Sequence, residues 1–180
     1  MQNTASGRPG FVVWLTGLPC SGKSTISRYL DGAIRETGRN LEILDGDIVR
    51  TNLTKGLSFD KEDRDTNVRR VGFVANLLSR NGAAVVCAVV SPYRNIRNEL
   101  RQNVTNFVEV FVDTPAEICA QRDVKGMWAK AKAGEIKNFT GLDDPYEPPV
   151  SPDVHILTQE ETVEQSGKKV LDFLKSRGWL

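Results

Sequence analysis

Gly17-Leu18-Pro19-Cys20-Ser21-Gly22-Lys23-Ser24-Thr25 fits the phosphate-binding pattern G-x-x-x-x-G-K-S/T, and its flanks are the ones that pattern requires. Phe11 to Leu15 before it is an apolar run of strand length. Lys23 to Thr37 after it carries Ile26, Tyr29, Leu30, Ala33 and Ile34 at one-face helical spacing and stops at Gly38. In such a loop consecutive backbone N–H groups hold a β-phosphate and the helix directs its positive end at the same anion. Lys23 reaches the β/γ oxygens, and the Ser24 hydroxyl joins the shell of a Mg²⁺ ion. The stretch therefore predicts a nucleoside triphosphate site.

Outward from that loop the apolar segments alternate in type. Strands are expected at 11–15, 41–45, 83–90, 107–113 and 154–158, and helices at 23–37, 61–80, 93–103, 115–122 and 162–176. Ala83 to Val90 holds no polar residue, which suits a strand covered on both faces of a parallel sheet. The pattern predicts an α/β, P-loop NTPase-like three-layer fold: a five-stranded, mainly parallel sheet with helices on both faces. Thr114-Pro115-Ala116-Glu117 offers a capping box with Pro at the first helical position. Asp123 to Pro152, rich in Lys, Gly, Asp and Pro, breaks the alternation except for a short helical piece around Met127 to Ala133, and reads as a mobile lid.

The chain has 180 residues, 39% hydrophobic and 26% charged, enough for one domain with a full core. We expect a loose tail over 1–10 and a single domain over 11–180. Its 24 Lys and Arg against 23 Asp and Glu leave a net charge of +1, which gives no general reason to expect nucleic acid or a membrane surface as partner. The three cysteines, Cys20, Cys87 and Cys119, are odd in number and lack metal-ligand spacing, and no signal-type segment precedes the first strand; a reducing cytoplasm is expected.

Two further groups carry chemistry. Leu44-Asp45-Gly46-Asp47, followed by Arg50, closes the strand after the phosphate loop, at the sheet edge where ligands gather. Two carboxylates there could orient an attacking hydroxyl and take its proton. The Asp-Gly-Asp triplet alone would as readily be a turn. Next, Phe59 precedes Asp63-Arg64, Asn67 and Arg69-Arg70 on successive helical turns, and Arg64 and Asn67 share a face. A guanidinium and a ring suit a second nucleotide, although a solvated charged face explains this segment equally well.

Together these motifs resemble the adenylyl-sulfate kinase family. The resemblance also draws on Ser91-Pro92-Tyr93-Arg94, on Phe111 to Cys119, on Gln121 to Gly126 and on Ala133 to Pro149 (AGEIKNFTGLDDPYEPP), and runs from the phosphate loop to Pro149. It implies transfer of the ATP γ-phosphoryl group to the 3′-hydroxyl of adenosine 5′-phosphosulfate, with Mg²⁺, usually in a homodimer, and sometimes in a chain joined to a sulfate adenylyltransferase. Position by position, Asp47 is similar to the residue that accepts the hydroxyl proton, and Asp45 with Ser24 to the support of the metal. Arg50, Arg64 and Asn67 resemble ligands of the phosphosulfate and sugar. Phe59 and Phe139 resemble two rings that sandwich the acceptor adenine, with Val90 and Thr140 beside them. Lys125 and Lys137 resemble lid cations, and Arg122 flanks the donor base. Ser91 matches a serine sometimes assigned as a phosphoserine intermediate, but Ser-Pro after a buried strand is also an ordinary helix start, the reading we favour.

Pro19-Cys20, Ile48 and Ser58 depart from the family's common residues. Cys20, beside Lys23 and ahead of a helix N-terminus, is expected to be the most reactive of the three thiols. The single histidine, His155, reads as a packed or edge residue. Two other readings compete: a different small-molecule P-loop kinase, and a non-catalytic kinase-like regulatory domain.

Overall fold

The computed structural model describes residues 8–53 and 55–180. Five parallel strands, β1 (Phe11–Thr16), β2 (Leu41–Asp45), β3 (Ala84–Ala88), β4 (Phe107–Asp113) and β5 (Val154–Leu157), form one sheet in the order β2-β3-β1-β4-β5. The helices are α1 (Lys23–Arg35), α2 (Gly46–Asn52), α3 (Lys61–Ser79), α4 (Arg94–Asn103), α5 (Ala116–Arg122), α6 (Met127–Lys132) and α7 (Val163–Ser176).

Strand β1 lies at the centre, with Val13 opposite Val86 on one side and Val108 on the other. All six of its residues are buried, because successive side chains point to opposite faces and both faces are covered. Phe11, Val13 and Leu15 pack with Ile26, Leu30 and Ile34 of α1 and Val170 and Leu174 of α7. Val12 and Trp14 pack on the other face with Val68, Val71 and Ala75 of α3 and Ile96 and Leu100 of α4. The uninterrupted apolar runs of β1 and β3 are thus the signature of a three-layer sandwich. Among the described residues no helix is long and apolar enough to cross a membrane.

Several local expectations are corrected. The residues after Asp45 form helix α2, which was not expected, with Asp45 as N-cap accepting from Asp47 N at 3.1 Å; an aspartate able to satisfy an orphan N–H starts a helix where Asp-Gly-Asp alone left a turn open. Thr114 does not cap α5, whose N-cap is Pro115 without a side-chain hydrogen bond. Its hydroxyl instead donates to Ser21 O at 3.0 Å and meets Thr158 Oγ1 at 2.5 Å. The tail ends sooner than expected: Gly10 is buried, its carbonyl accepts from Asn106 Nδ2, and a Cβ there would meet Ser79 O at 1.9 Å. Residues 1–7 of that expected tail lie outside the described residues.

Two glycines set the helix spacings. A Cβ on Gly72 of α3 would lie 2.3 Å from Leu100 Cδ2 of α4, and one on Gly167 of α7 would lie 2.1 Å from the Tyr29 ring of α1. Because the Tyr29 ring is rigid, Gly167→Ala is expected to destabilise the protein by about 1–3 kcal/mol through overpacking, outweighing a helix-propensity gain of roughly 0.5–1 kcal/mol. Urea unfolding checks this; an unchanged or higher midpoint would show that α7 gives way without loss.

Candidate active site

The carboxyl ends of the strands open into a cavity of about 1100 Å³. That volume is just above the upper end of the roughly 300–1,000 Å³ of an ordinary small-molecule site. One wall is the phosphate loop, represented by Pro19, Cys20, Gly22, Lys23, Ser24 and Thr25. Gly17 adopts φ 157 and closes on Val112 O, which a Cβ would approach to 2.4 Å. Gly22, at φ 107, is the N-cap of α1, so the left-handed turn that aims the helix at a phosphate uses the one residue type free to adopt it. Lys23 is buried, and its Nζ donates to Gly17 O at 2.9 Å and Leu18 O at 2.7 Å. Burial lowers its pKa to about 8.

Ser24 Oγ donates to Asp45 Oδ2 at 2.7 Å. These two hard oxygens beside a phosphate cradle fit Mg²⁺, which takes one or two protein oxygens and completes its shell with phosphate and water. Among the described residues no cluster of three or more His, Cys, Asp or Glu could hold a metal.

Beyond Asp45 the cavity is lined by Asp47, Arg50, Phe59, Arg64, Asn67, Val90, Ser91, Lys125, Phe139 and Thr140. Asp47 Oδ2 accepts from Lys125 Nζ of the 123–152 segment. Phe59 is 36% exposed, with the Arg50 guanidinium 4.8 Å from its centroid, whereas Phe139 is 4% exposed and meets Trp128 edge-on at 5.0 Å. Arg64 joins the flanks of the two rings. Its Nε donates to Phe59 O at 2.7 Å, Nη1 to Thr140 Oγ1 at 2.6 Å, and Nη2 to Asn138 O. Arg64 therefore braces the site as well as lining it. Lys137 is exposed and absent from the cavity wall, because the turn that buries Phe139 and Thr140 leaves it facing solvent.

The hydroxyl of Ser91 is enclosed. It accepts from Trp14 Nε1 at 2.9 Å, lies 3.1 Å from Thr16 Oγ1, and belongs to a residue 2% exposed at φ 42. Thr16 Oγ1 in turn meets Tyr146 OH at 3.0 Å.

Sequence reasoning placed Arg122 beside the donor base but passed over its neighbours on the cavity wall, where Arg28, Thr158, Glu161, Val163 and Ser166 contribute. Arg122 is fixed there, donating through Nη1 to Thr158 Oγ1 at 2.9 Å and through Nη2 to Thr158 O at 3.1 Å. The position of Thr158 just after β5, at a strand's carboxyl end, was the available signal. Trp128 was also missed. Its Nε1 donates to Pro19 O at 3.2 Å and its ring packs in a cluster with Cys119, Ala131 and Phe139 that also touches Leu18 and Cys20. His155 stands on the edge strand, paired with Asp113 at 2.9 Å and stacked on Phe111 at 5.1 Å.

Residues 9–157 match the sequence profile of the family described as Adenylylsulphate kinase. The chain belongs to the adenylylsulphate kinase family. An adenylyl-sulfate kinase of Rippkaea orientalis (strain PCC 8801 / RF-1) is 58% identical over 171 residues, 95% of this chain and 94% of that one. The APS kinase of Mycobacterium tuberculosis, solved in complex with AMPPNP and APS, superposes with a TM-score of 0.89 at 38% identity, covering 93% of this chain and 99% of the other. A hexameric APS kinase from Thiobacillus denitrificans superposes with a TM-score of 0.76 at 35% identity over 99% of this chain and 31% of that one. A probable bifunctional SAT/APS kinase 2 of Sorangium cellulosum (strain So ce56) is 53% identical over 95% of this chain, which spans 29% of that protein. Like these relatives, this family member is an ATP-dependent kinase, and its fold is that of the solved APS kinases.

Two expectations follow from the loop. With its pKa lowered to about 8, Lys23 is expected to be largely neutral at pH 8.5 and to regain its proton when phosphates bind. Nucleotide binding should therefore take up a proton there and not at pH 7, which calorimetry in buffers of different ionisation enthalpy reads directly. Cys20 is half-buried on the cavity wall, whereas Cys87 and Cys119 are fully buried, and burial raises the pKa of both, that of Cys119 to about 11. Limited alkylation should label Cys20 first, with loss of activity and protection by MgATP; first labelling at Cys87 or Cys119 would refute this.

Proposed function

We propose that Asp47 is the general base in this kinase's reaction, transfer of the ATP γ-phosphoryl group to the 3′-hydroxyl of adenosine 5′-phosphosulfate to give 3′-phosphoadenosine 5′-phosphosulfate and ADP. The observation that carries the reading is one cavity lined by the phosphate loop, two carboxylates at the end of β2, two aromatic rings and Arg122. The donor lies with its phosphates on the loop and its base toward Arg122 and Thr158. The acceptor lies against Phe59 and Phe139, its phosphosulfate toward Arg50 and Asn67.

Asp47 accepts the 3′-hydroxyl proton as that oxygen attacks the γ-phosphorus and the bond to the β–γ bridging oxygen breaks. Lys125, already at the Asp47 carboxylate, brings positive charge to the transferring group. Ser24 and Asp45 would hold Mg²⁺, which neutralises phosphate charge when bound. Ser91 takes no covalent part, since its hydroxyl is enclosed by Trp14 and Thr16. The segment 123–152 acts as a lid whose second half is already tied down. A homodimer is proposed from the family resemblance alone. A cytoplasmic setting is consistent with the three unpaired thiols.

ADP release should require adenosine 5′-phosphosulfate and Mg²⁺ together, and strong release with AMP or a sugar in its absence would refute the acceptor. Asp47→Asn should lower kcat by roughly 10²- to 10⁴-fold with little change in ATP affinity; near-normal turnover would remove Asp47 from the role.

A further inference from the structure

The most heavily engaged charged side chain outside the cavity wall is Arg97 of α4, 1% exposed. Its Nε donates to Glu109 Oε1 at 2.9 Å, Nη1 to Ser91 O at 2.6 Å, and Nη2 to Glu147 O, while its guanidinium lies 5.6 Å from the Tyr146 ring centroid. Glu109, in the middle of β4, also accepts from Arg101 at 3.1 Å, and Arg101 reaches Asp153 at 2.8 Å. Two arginines and two carboxylates thus balance in charge, and the ion pair to Glu109 fixes the plane of the Arg97 fork.

The two carbonyls that fork holds belong to segments far apart in sequence. Ser91 sits at φ 42, a left-handed conformation that costs a non-glycine residue energy and persists only when its surroundings hold it. With Val90 it lines the cavity. Glu147 ends the turn that carries Phe139 and Thr140 into the cavity. The start of α4 and this turn are further laced by Glu147 N to Pro92 O at 2.9 Å, Arg94 N to Glu147 Oε2 at 2.6 Å, and Tyr93 OH to Asp144 Oδ1 at 3.0 Å.

We propose that Arg97 is a positioning residue for the acceptor nucleotide: by holding the Ser91 and Glu147 carbonyls together on the Glu109 ion pair, it sets the wall of Val90, Ser91, Phe139 and Thr140 without touching substrate. Among the described residues Arg97 makes no hydrogen bond to the phosphate loop or to the Arg122–Thr158 end of the cavity; its nearest link to the donor half is indirect, through Ser91 to Thr16 ahead of the loop, so its direct hold is on the acceptor wall. The inference rests on the acceptor placement proposed above.

Arg97→Lys keeps the charge opposite Glu109 but cannot span both carbonyls. With folding verified by thermal melting, the KM for adenosine 5′-phosphosulfate should rise about tenfold or more while the KM for ATP stays within about threefold, as a misplaced wall weakens one substrate only. Equal rises in both, or no rise in either, would overturn the proposal. Glu109→Gln, which keeps the side-chain shape and an oxygen for Arg97 Nε but removes the charge that fixes the fork, provides the second arm should Arg97→Lys fail to fold; it must show the same split in smaller degree, and an unchanged acceptor KM would also overturn the proposal. Phe59→Ala separates this from the acceptor placement itself. If Phe59→Ala raises the acceptor KM and the Arg97 and Glu109 variants do not, the positioning role falls and the placement stands. If only the latter two raise it, the role stands and the Phe59 contact falls.

Discussion

Burial of a parallel sheet on both faces is the constraint on which the rest of this structure depends. Parallel strands need a crossover between each neighbouring pair, and because all five run in one direction every strand's carboxyl end lies at one edge. The loops after β1, β2, β3, β4 and β5 are thereby delivered to one place. Residues as distant in sequence as Lys23, Asp45, Ser91, Arg122 and Thr158 meet around one cavity with no long loop needed to gather them. The core and the site are one design seen from two ends: Trp14 packs beneath the sheet with Val68 and Ile96, and its indole N–H fixes Ser91 at the cavity wall.

The two halves of the cavity are supported differently. The donor end hangs on short links between strand ends, such as Thr114 to Ser21 O and Arg122 to Thr158. The acceptor end is assembled from side chains that bind backbone carbonyls of other segments, with Arg64 and Arg97 as the principal cross-ties. Buried guanidinium groups suit this task because five fixed donors can satisfy several carbonyls at once.

What the sequence made legible follows from what is local. The phosphate loop, the alternation of strands and helices, and the carboxylates at the end of β2 each rest on neighbours within a few residues, and each stands where its spacing placed it. Helix α2 was missed because Asp-Gly-Asp is compatible with both a turn and a capped helix, and burial of Val49 against α3 decides between them. Thr114 was misread because a threonine ahead of Pro-Ala-Glu fits a local cap, yet its hydroxyl finds partners 93 and 44 residues away. Trp128 and Glu161 carry no spacing signal at all, and Thr158 only its place just after β5; the folded chain brings them to the loop or the cavity. Lys137 shows the reverse, a residue placed by resemblance that the local turn leaves outside the wall.

The grip of Lys23 on its own loop has a consequence for how nucleotide is received. With Nζ bonded to the Gly17 and Leu18 carbonyls, the loop takes its curvature from its own contacts, supported from behind by Trp128 on Pro19. A triphosphate received there would exchange lysine–carbonyl contacts for lysine–phosphate ones rather than organise a floppy segment. Much of the ordering entropy of such a frame is met during folding, which is what preorganisation contributes to binding.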